Sequence, residues 1–218
     1  MTFGIYLVTD PVLCRPRGVT ATVAAAVAGG ARTVQLRDKH ADVDEHLRQL
    51  TDLAAVIDGR ALLLVNDRLD VVHAARQRGL PVDGVHLGQH DHSPARARDL
   101  LGPEAVVGLS ANTPAHLQAL ARHPLGTVDY LGVGAIRPTT TKTDHPQALG
   151  IEGFRKFAAR ASMPCVAIGG VRPEDVGPLR QAGANGVALV SALCAAPEPQ
   201  GAARRMRAVW DRTERSTT

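Results

Sequence analysis

Apolar residues in this chain fall into short runs, and between the runs they recur three or four positions apart. The runs are IYLVT (5–9), TVQLR (33–37), ALLLVN (61–66), GVHLG (84–88), VVGLS (106–110), YLGVG (130–134), PCVAIGG (164–170) and GVALV (186–190). Each reads as a strand. A helix-like segment follows each one, at 19–29, 43–58, 71–78, 94–101, 114–122, 151–161, 173–182 and 202–211. Nearly continuous apolar strands are those of a parallel sheet covered on both faces. Gly29, Gly30, Gly79 and Gly183 mark helix ends, and Pro94, Pro114 and Pro173 mark first helical positions. Eight strand–helix units predict an α/β fold, a compact (β/α)8 barrel (TIM barrel) in which residues 1–218 form one domain. An open, doubly wound sheet is the alternative, because periodicity does not report closure. No GxGxxG follows the first strand, which counts against a dinucleotide-binding sheet.

The composition narrows the picture further. Only 3% of the 218 residues are aromatic against 44% hydrophobic, so the core is expected to be aliphatic. Charged residues make up 21%, which excludes a disordered or collagen-like chain. The 25 Lys and Arg exceed the 21 Asp and Glu by four, and they are spread along the chain. A nucleic-acid-binding stripe would need them concentrated, so no nucleic-acid partner is expected. A local basic pocket for an anionic small molecule remains open. The cysteines, Cys14, Cys165 and Cys194, are odd in number and widely spaced, which argues for buried reduced thiols. No apolar stretch approaches the roughly 18 residues of a membrane span, and MTFGIYLVTD lacks the pattern of a secretory signal. A cytoplasmic protein without a membrane partner is expected.

In a barrel, chemistry collects at the C-terminal ends of the strands. Reading the residues there gives Gln35, Arg37, Asp38 and Lys39 after the second strand. Asn66, Asp67 and Arg68 follow the third, and Gln89, His90 and Asp91 the fourth. Ser110 ends the fifth. Thr139, Thr140, Thr141 and Lys142 follow the sixth, Gly169 and Gly170 end the seventh, and Val190 and Ser191 follow the eighth. Any one of these alone is a turn residue or helix cap. As a set they repeat at one end of successive strands. Asp67 and Asp91 end neighbouring strands and suit one shared hard cation such as Mg2+, which takes one or two carboxylates plus phosphate oxygens. Arg37, Lys39 and Lys142 suit a diphosphate. Gly169–Gly170 and the turn at Val190–Ser191 stand where this barrel usually holds a phosphate on backbone N–H groups. Ser191 is expected to cap a short helix there. Two anion sites imply two phosphorylated substrates or one bisphosphate. The loop from Ala135 to about Gly150 is the longest connection, and it reads as a lid or binding element.

These residues carry a resemblance. YLVTD (6–10), VQLRDK (34–39), LLVNDRLDV (63–71), GVHLGQHD (84–91), VGLS (107–110), YLGVGAIRPTTTK (130–142), VAIGGV (166–171) and GANGVALVSAL (183–193) resemble thiamine phosphate synthases from the first strand to the last helix. VNDR, HLGQxD and PTxTK, one per strand and in this order, are specific together. The resemblance implies a (β/α)8 barrel that joins a hydroxymethylpyrimidine diphosphate to a thiazole phosphate and releases pyrophosphate, with Mg2+. It places the pyrimidine diphosphate on Gln35, Leu36, Arg37, Asp38, Lys39, Asn66, Ser110 and Lys142. Arg37, Lys39, Ser110 and Lys142 are then the catalytic candidates. It places the metal on Asp67 and Asp91, and the thiazole phosphate on Thr139, Thr140, Thr141, Gly170, Val190 and Ser191. A homodimer is left open.

Two motifs depart from the family pattern, the loop GPIFPTxTK and the frequent acid at the variable position of HLGQxD. Ala135 stands for the Pro, Arg137 for the aromatic and His90 for the acid. Arg137 is either a solvated loop residue or a cation that folds over the bound phosphates. Three rival enzymes and a non-catalytic phosphate-binding regulator remain. The sister thiazole tautomerases typically lack the two aspartates and carry a His where this chain has Asn112. A metal hydrolase on His86, His90 and His92 matches no familiar zinc spacing. An aldolase would use Lys142 as a Schiff base.

Overall fold

The structure, a computed structural model, describes residues 2–138 and 148–216, with side chains as far as Thr213. Eight parallel strands close into a barrel in sequence order, with β1 beside β8. They are β1 (Gly4–Val8), β2 (Thr33–Leu36), β3 (Leu62–Asn66), β4 (Gly84–Leu87), β5 (Val106–Ser110), β6 (Tyr130–Val133), β7 (Cys165–Ala167) and β8 (Gly186–Leu189). The helices are α1 (Val19–Ala28), α2 (Val43–Ile57), α3 (Leu69–Gln77), α4 (Pro94–Leu101), α5 (Pro114–Leu120), α6 (Gly150–Ala158), α7 (Val176–Gln181), α8 (Ser191–Cys194) and α9 (Pro199–Ser216). Closure of the sheet decides against the open alternative.

The strands alternate between two buried layers. Ile5 and Leu7, Val34 and Leu36, Val85 and Leu87, and Val187 and Leu189 join the layer between sheet and helices. Tyr6, Val8, Leu64, Val106, Tyr130, Val166 and Ala188 fill the barrel interior with Phe3. Both faces are dry, so the period-two alternation is hidden under continuous apolar sequence. The interior packs large against small. A Cβ on Gly108 of β5 would lie 2.3–2.5 Å from the Tyr130 ring, and one on Gly132 of β6 would lie 2.8 Å from His86 Cε1. Glycine inside these strands is therefore room for a ring from another strand, from adjacent β6 at Gly108 and from β4, two strands away, at Gly132.

Capping sets several helix starts. Asp42 accepts from Glu45 N at α2, Ser93 from Arg96 N at α4 and Thr113 from His116 N at α5, with Pro94 and Pro114 in the first turns. The segment expected as one helix over 173–182 divides into a 3₁₀ turn, Pro173–Asp175, and α7. The last helix is longer than the apolar pattern indicated, because its ends are polar. Cys14, Cys165 and Cys194 are buried and unbridged, as expected. Among the described residues, no helix is long and apolar enough to cross a membrane.

Candidate active site

Among the described residues, the barrel's C-terminal rim carries polar residues at successive strand ends, each set by the turn that ends its strand. After β2, Arg37 N donates to Thr9 Oγ1 at 2.9 Å, and the half-buried Arg37 guanidinium faces Asp10 at 3.9 Å. Lys39 is exposed. Asp38 is committed to the loop itself. It accepts from His40 N and Ala41 N at 3.0 and 3.2 Å and from Gln49 Nε2 at 3.1 Å. Burial pushes its carboxyl up, but the bond from Gln49 and the backbone donors outweigh this and hold it below the usual carboxylate range. The Leu36 side chain, at the end of β2, is buried in the sheet–helix layer.

After β3 the chain turns sharply. Asp67 adopts φ +63°, a left-handed conformation uncommon outside glycine. Asn66 Nδ2 donates to Asp67 Oδ2 at 2.6 Å, which orients the carboxylate. Arg68 turns away and pairs with Asp70 at 2.7 Å. After β4, Gly88 N donates to Asp91 Oδ2 at 2.7 Å and closes a tight turn. β3 and β4 pair through Asn66 and His86, so the two aspartates stand at the ends of adjacent strands, as expected. Their donor set is hard oxygen only, and each carboxylate is fixed by a neighbouring N–H. That chemistry fits Mg2+ shared with phosphate oxygens. No cluster of three or more His, Cys, Asp or Glu poised for a metal occurs among the described residues, and His86 is buried within the barrel. The zinc-hydrolase reading has no support there.

Ser110 ends β5, and its Oγ lies 3.0 Å from His86 Nε2. Gln89 donates from Nε2 to the Ser110 carbonyl. Asn112 links the β5 and β6 turns by donating to Gly134 O at 3.1 Å. An amide there has no acid–base capacity. Gln35 points into the barrel and donates to the Tyr6 hydroxyl at 2.6 Å.

The base of the β6 loop is anchored. Ala135 and Ile136 are buried, Leu149 N donates to Ala135 O, and Gly150 N donates to Ile136 O. Arg137 forms a bidentate pair with Asp175, Nε to Oδ2 at 2.9 Å and Nη2 to Oδ1 at 2.6 Å. It is neither a free surface cation nor laid over the site; it ties the loop to the turn after β7. Arg137 holds the Asp175 carboxyl below its usual value, against an upward push from burial, with help from Arg172 N at 3.0 Å. Gly169 and Gly170 lie at φ +87° and +67°, and a Cβ on Gly170 would meet Arg137 at 2.8 Å. Only glycine fits where this turn passes under the loop. Thr139, Thr140, Thr141 and Lys142 lie outside the described residues, so the rival use of Lys142 is not described either. At β8, the cap position of α8 is Val190, without a side-chain cap bond, and Ser191 is the first helical residue. The expected Ser191 cap is therefore displaced by one position.

Sequence reasoning did not single out Tyr6 and Tyr130, and met His86 only as a metal candidate. Their signal was a polar side chain at an interior-facing position, with Gly108 opposite on the next strand for His86 and Tyr130. Strands of four or five residues were too short to show that parity.

The sequence profile described as thiamine monophosphate synthase matches residues 5–193. A thiamine-phosphate synthase of Psychrobacter sp. (strain PRwf-1) is 42% identical over 200 residues, 92% of each chain. One of Xanthobacter autotrophicus is 46% identical over 205 residues, 94% of this chain and 93% of that one. Among solved structures, a thiamine phosphate pyrophosphorylase from Pyrococcus furiosus superposes with a TM-score of 0.83 at 28% identity, covering 97% of this chain and 96% of that one. With the profile spanning β1 to α8 and such relatives matched over nearly their whole length, the chain belongs to the thiamine monophosphate synthase family.

Proposed function

We propose that the rim of this barrel joins 4-amino-2-methyl-5-hydroxymethylpyrimidine diphosphate to a thiazole phosphate, giving thiamine phosphate and pyrophosphate. The observation that carries this reading is Asp67 and Asp91 at the ends of adjacent strands, each oriented by a neighbouring donor, beside Asn66 and Ser110. The tautomerase reading needs a proton-transfer residue where Asn112 instead braces the β6 turn.

Bond breaking comes first in this chemistry. Pyrophosphate leaves the pyrimidine methylene carbon, and the ring's amino group stabilises the cation left behind. The thiazole nitrogen then attacks that carbon. No protein nucleophile is required, so the site's work is to stabilise the leaving group and to orient the second substrate. Asp67 and Asp91 would hold Mg2+, which when bound supplies Lewis-acid stabilisation of the departing pyrophosphate. Arg37 and Lys39 add positive charge on the β2 side, with Lys142 assigned by resemblance. Asn66 and the Ser110 hydroxyl donate to the diphosphate. Gly170, Val190 and Ser191 would receive the thiazole phosphate on backbone N–H groups, with Thr139–Thr141 assigned by resemblance.

Asp67→Asn tests the metal assignment. Asn tolerates the left-handed backbone of this position, so the substitution removes charge and leaves the turn. Loss of about 4 kcal/mol of transition-state stabilisation means roughly a 10³-fold fall in kcat. A variant that turns over normally at saturating Mg2+ would remove Asp67 from the metal site.

A further inference from the structure

Five polar side chains from five strands form one hydrogen-bonded chain in the otherwise apolar barrel. Gln35 Nε2 donates to the Tyr6 hydroxyl at 2.6 Å. The Tyr6 and Tyr130 hydroxyls are 2.9 Å apart, Tyr130 Oη is 2.9 Å from His86 Nδ1, and His86 Nε2 is 3.0 Å from Ser110 Oγ. Gln35, Tyr6, Tyr130 and His86 are all buried. Ser110 is where the chain meets the rim.

The inner end starts the chain. An amide nitrogen donates only, so Tyr6 accepts there; its bond with Tyr130 admits either hydroxyl as donor, and the ordering that runs outward to the rim has Tyr6 donate to Tyr130. In that ordering Tyr130 donates to Nδ1 of His86, the bare nitrogen of a neutral ring. Nε2 carries the hydrogen and donates to Ser110 Oγ, so Ser110 must aim its own proton elsewhere. Burial raises both tyrosine hydroxyls above their ordinary values, which keeps them protonated as this order requires. The chain passes no net proton, because a carboxamide at its inner end has none to release. Its effect is orientation.

We propose that His86 is a positioning residue: fixed by Tyr130 as the Nε2–H tautomer, it holds the Ser110 hydroxyl with its proton turned to the bound diphosphate. This rests on the reading that Ser110 contacts the diphosphate. The glycines support the assignment. A Cβ on Gly132 would sit 2.8 Å from His86 Cε1 and 3.1 Å from Nε2, so the ring edge fills the space that β6 leaves beside Ser110.

Two measurements test this on the full chain. Nitrogen-15 NMR of the wild-type protein at neutral pH should show His86 neutral with its hydrogen on Nε2. A hydrogen on Nδ1, or a charged ring, overturns the proposal. Kinetics with the pyrimidine diphosphate and the thiazole phosphate then compare four variants: His86→Leu, His86→Gln, Ser110→Ala, and a double variant that combines His86→Leu with Ser110→Ala. His86→Leu should lower kcat/KM for the diphosphate by about ten- to a hundredfold, with little change in the KM of the thiazole phosphate. Gln offers an amide donor and an acceptor at similar reach, so His86→Gln should recover most of that loss. In the Ser110→Ala background the His86→Leu substitution should cost less than about threefold, because its effect runs through the hydroxyl. Fully multiplicative losses, or a neutral His86→Leu beside an impaired Ser110→Ala, overturn the proposal alone. A Ser110→Ala enzyme with wild-type kinetics overturns the reading beneath it.

Discussion

Gly132→Ala adds one methyl group at the point where the barrel interior meets the rim. The new Cβ would sit 2.8 Å from His86 Cε1 and 3.1 Å from Nε2. An ordinary carbon–carbon contact is about 3.5–4.0 Å, so the ring edge must withdraw by roughly 0.7–1.2 Å. Gly132 pairs directly with Ser110 across the sheet, so moving away from β6 also moves the ring away from Ser110. The 3.0 Å bond to Ser110 Oγ then stretches beyond hydrogen-bonding range. The backbone offers little relief, because Gly132 O accepts from Ala111 N at 2.9 Å. Overpacking of this kind costs about 1–3 kcal/mol, and for a chain of this size each kcal/mol lowers Tm by about 2–4 °C. Differential scanning calorimetry should therefore find a Tm lower by about 2–12 °C, and steady-state kinetics a kcat lower by about tenfold. Gly177→Ala is the control. Its Cβ would lie 3.4 Å from Val209 Cγ1, an ordinary contact, and alanine favours helix α7. Its Tm should be unchanged or higher. If Gly132→Ala matched the wild type in Tm and kcat, the crowding argument and the role given to the His86–Ser110 bond would both fail.

Asp175→Asn should lower Tm at neutral pH and flatten its fall in acid. Its folded carboxyl is held low chiefly by Arg137, so the stability it contributes is present above the unfolded value and drains as pH falls through the folded one; equal acid slopes between about pH 5 and 3 would contradict this. Gly108→Ala places a Cβ within 2.5 Å of the Tyr130 ring and should destabilise more than Gly132→Ala; a smaller loss of Tm would contradict the packing described. Ser191→Ala should raise the KM of the thiazole phosphate more than that of the pyrimidine diphosphate, whereas equal effects would contradict two separate anion sites.

Much of the fold was legible because helix signals and strand runs alternate cleanly. Pro94 and Val106 open their elements where the sequence put them, and the strand ends deliver Asp67, Asp91 and Ser110 to one rim. What stayed hidden depends on partners distant in sequence. Arg137 reads as a loop cation until Asp175, 38 residues on, is seen to hold it. Leu36 sits between Gln35 and Arg37 in the motif, but strand alternation turns its side chain into the outer layer. His86 is 44 residues from Tyr130 and 24 from Ser110. Strand closure makes that chain, and no local pattern encodes it. The helix at Ser191 is a single turn, too brief for periodicity to fix its first residue.

The central claim is that this rim condenses two phosphorylated substrates. The most direct measurement supplies the pyrimidine diphosphate, the thiazole phosphate and Mg2+ to the purified protein, and follows pyrophosphate and thiamine phosphate together. The account predicts one pyrophosphate released for each thiamine phosphate formed, and neither product when a substrate or the metal is withheld. Isomerisation of the thiazole without condensation, pyrophosphate release that ignores the thiazole, or binding of both ligands without turnover would contradict it.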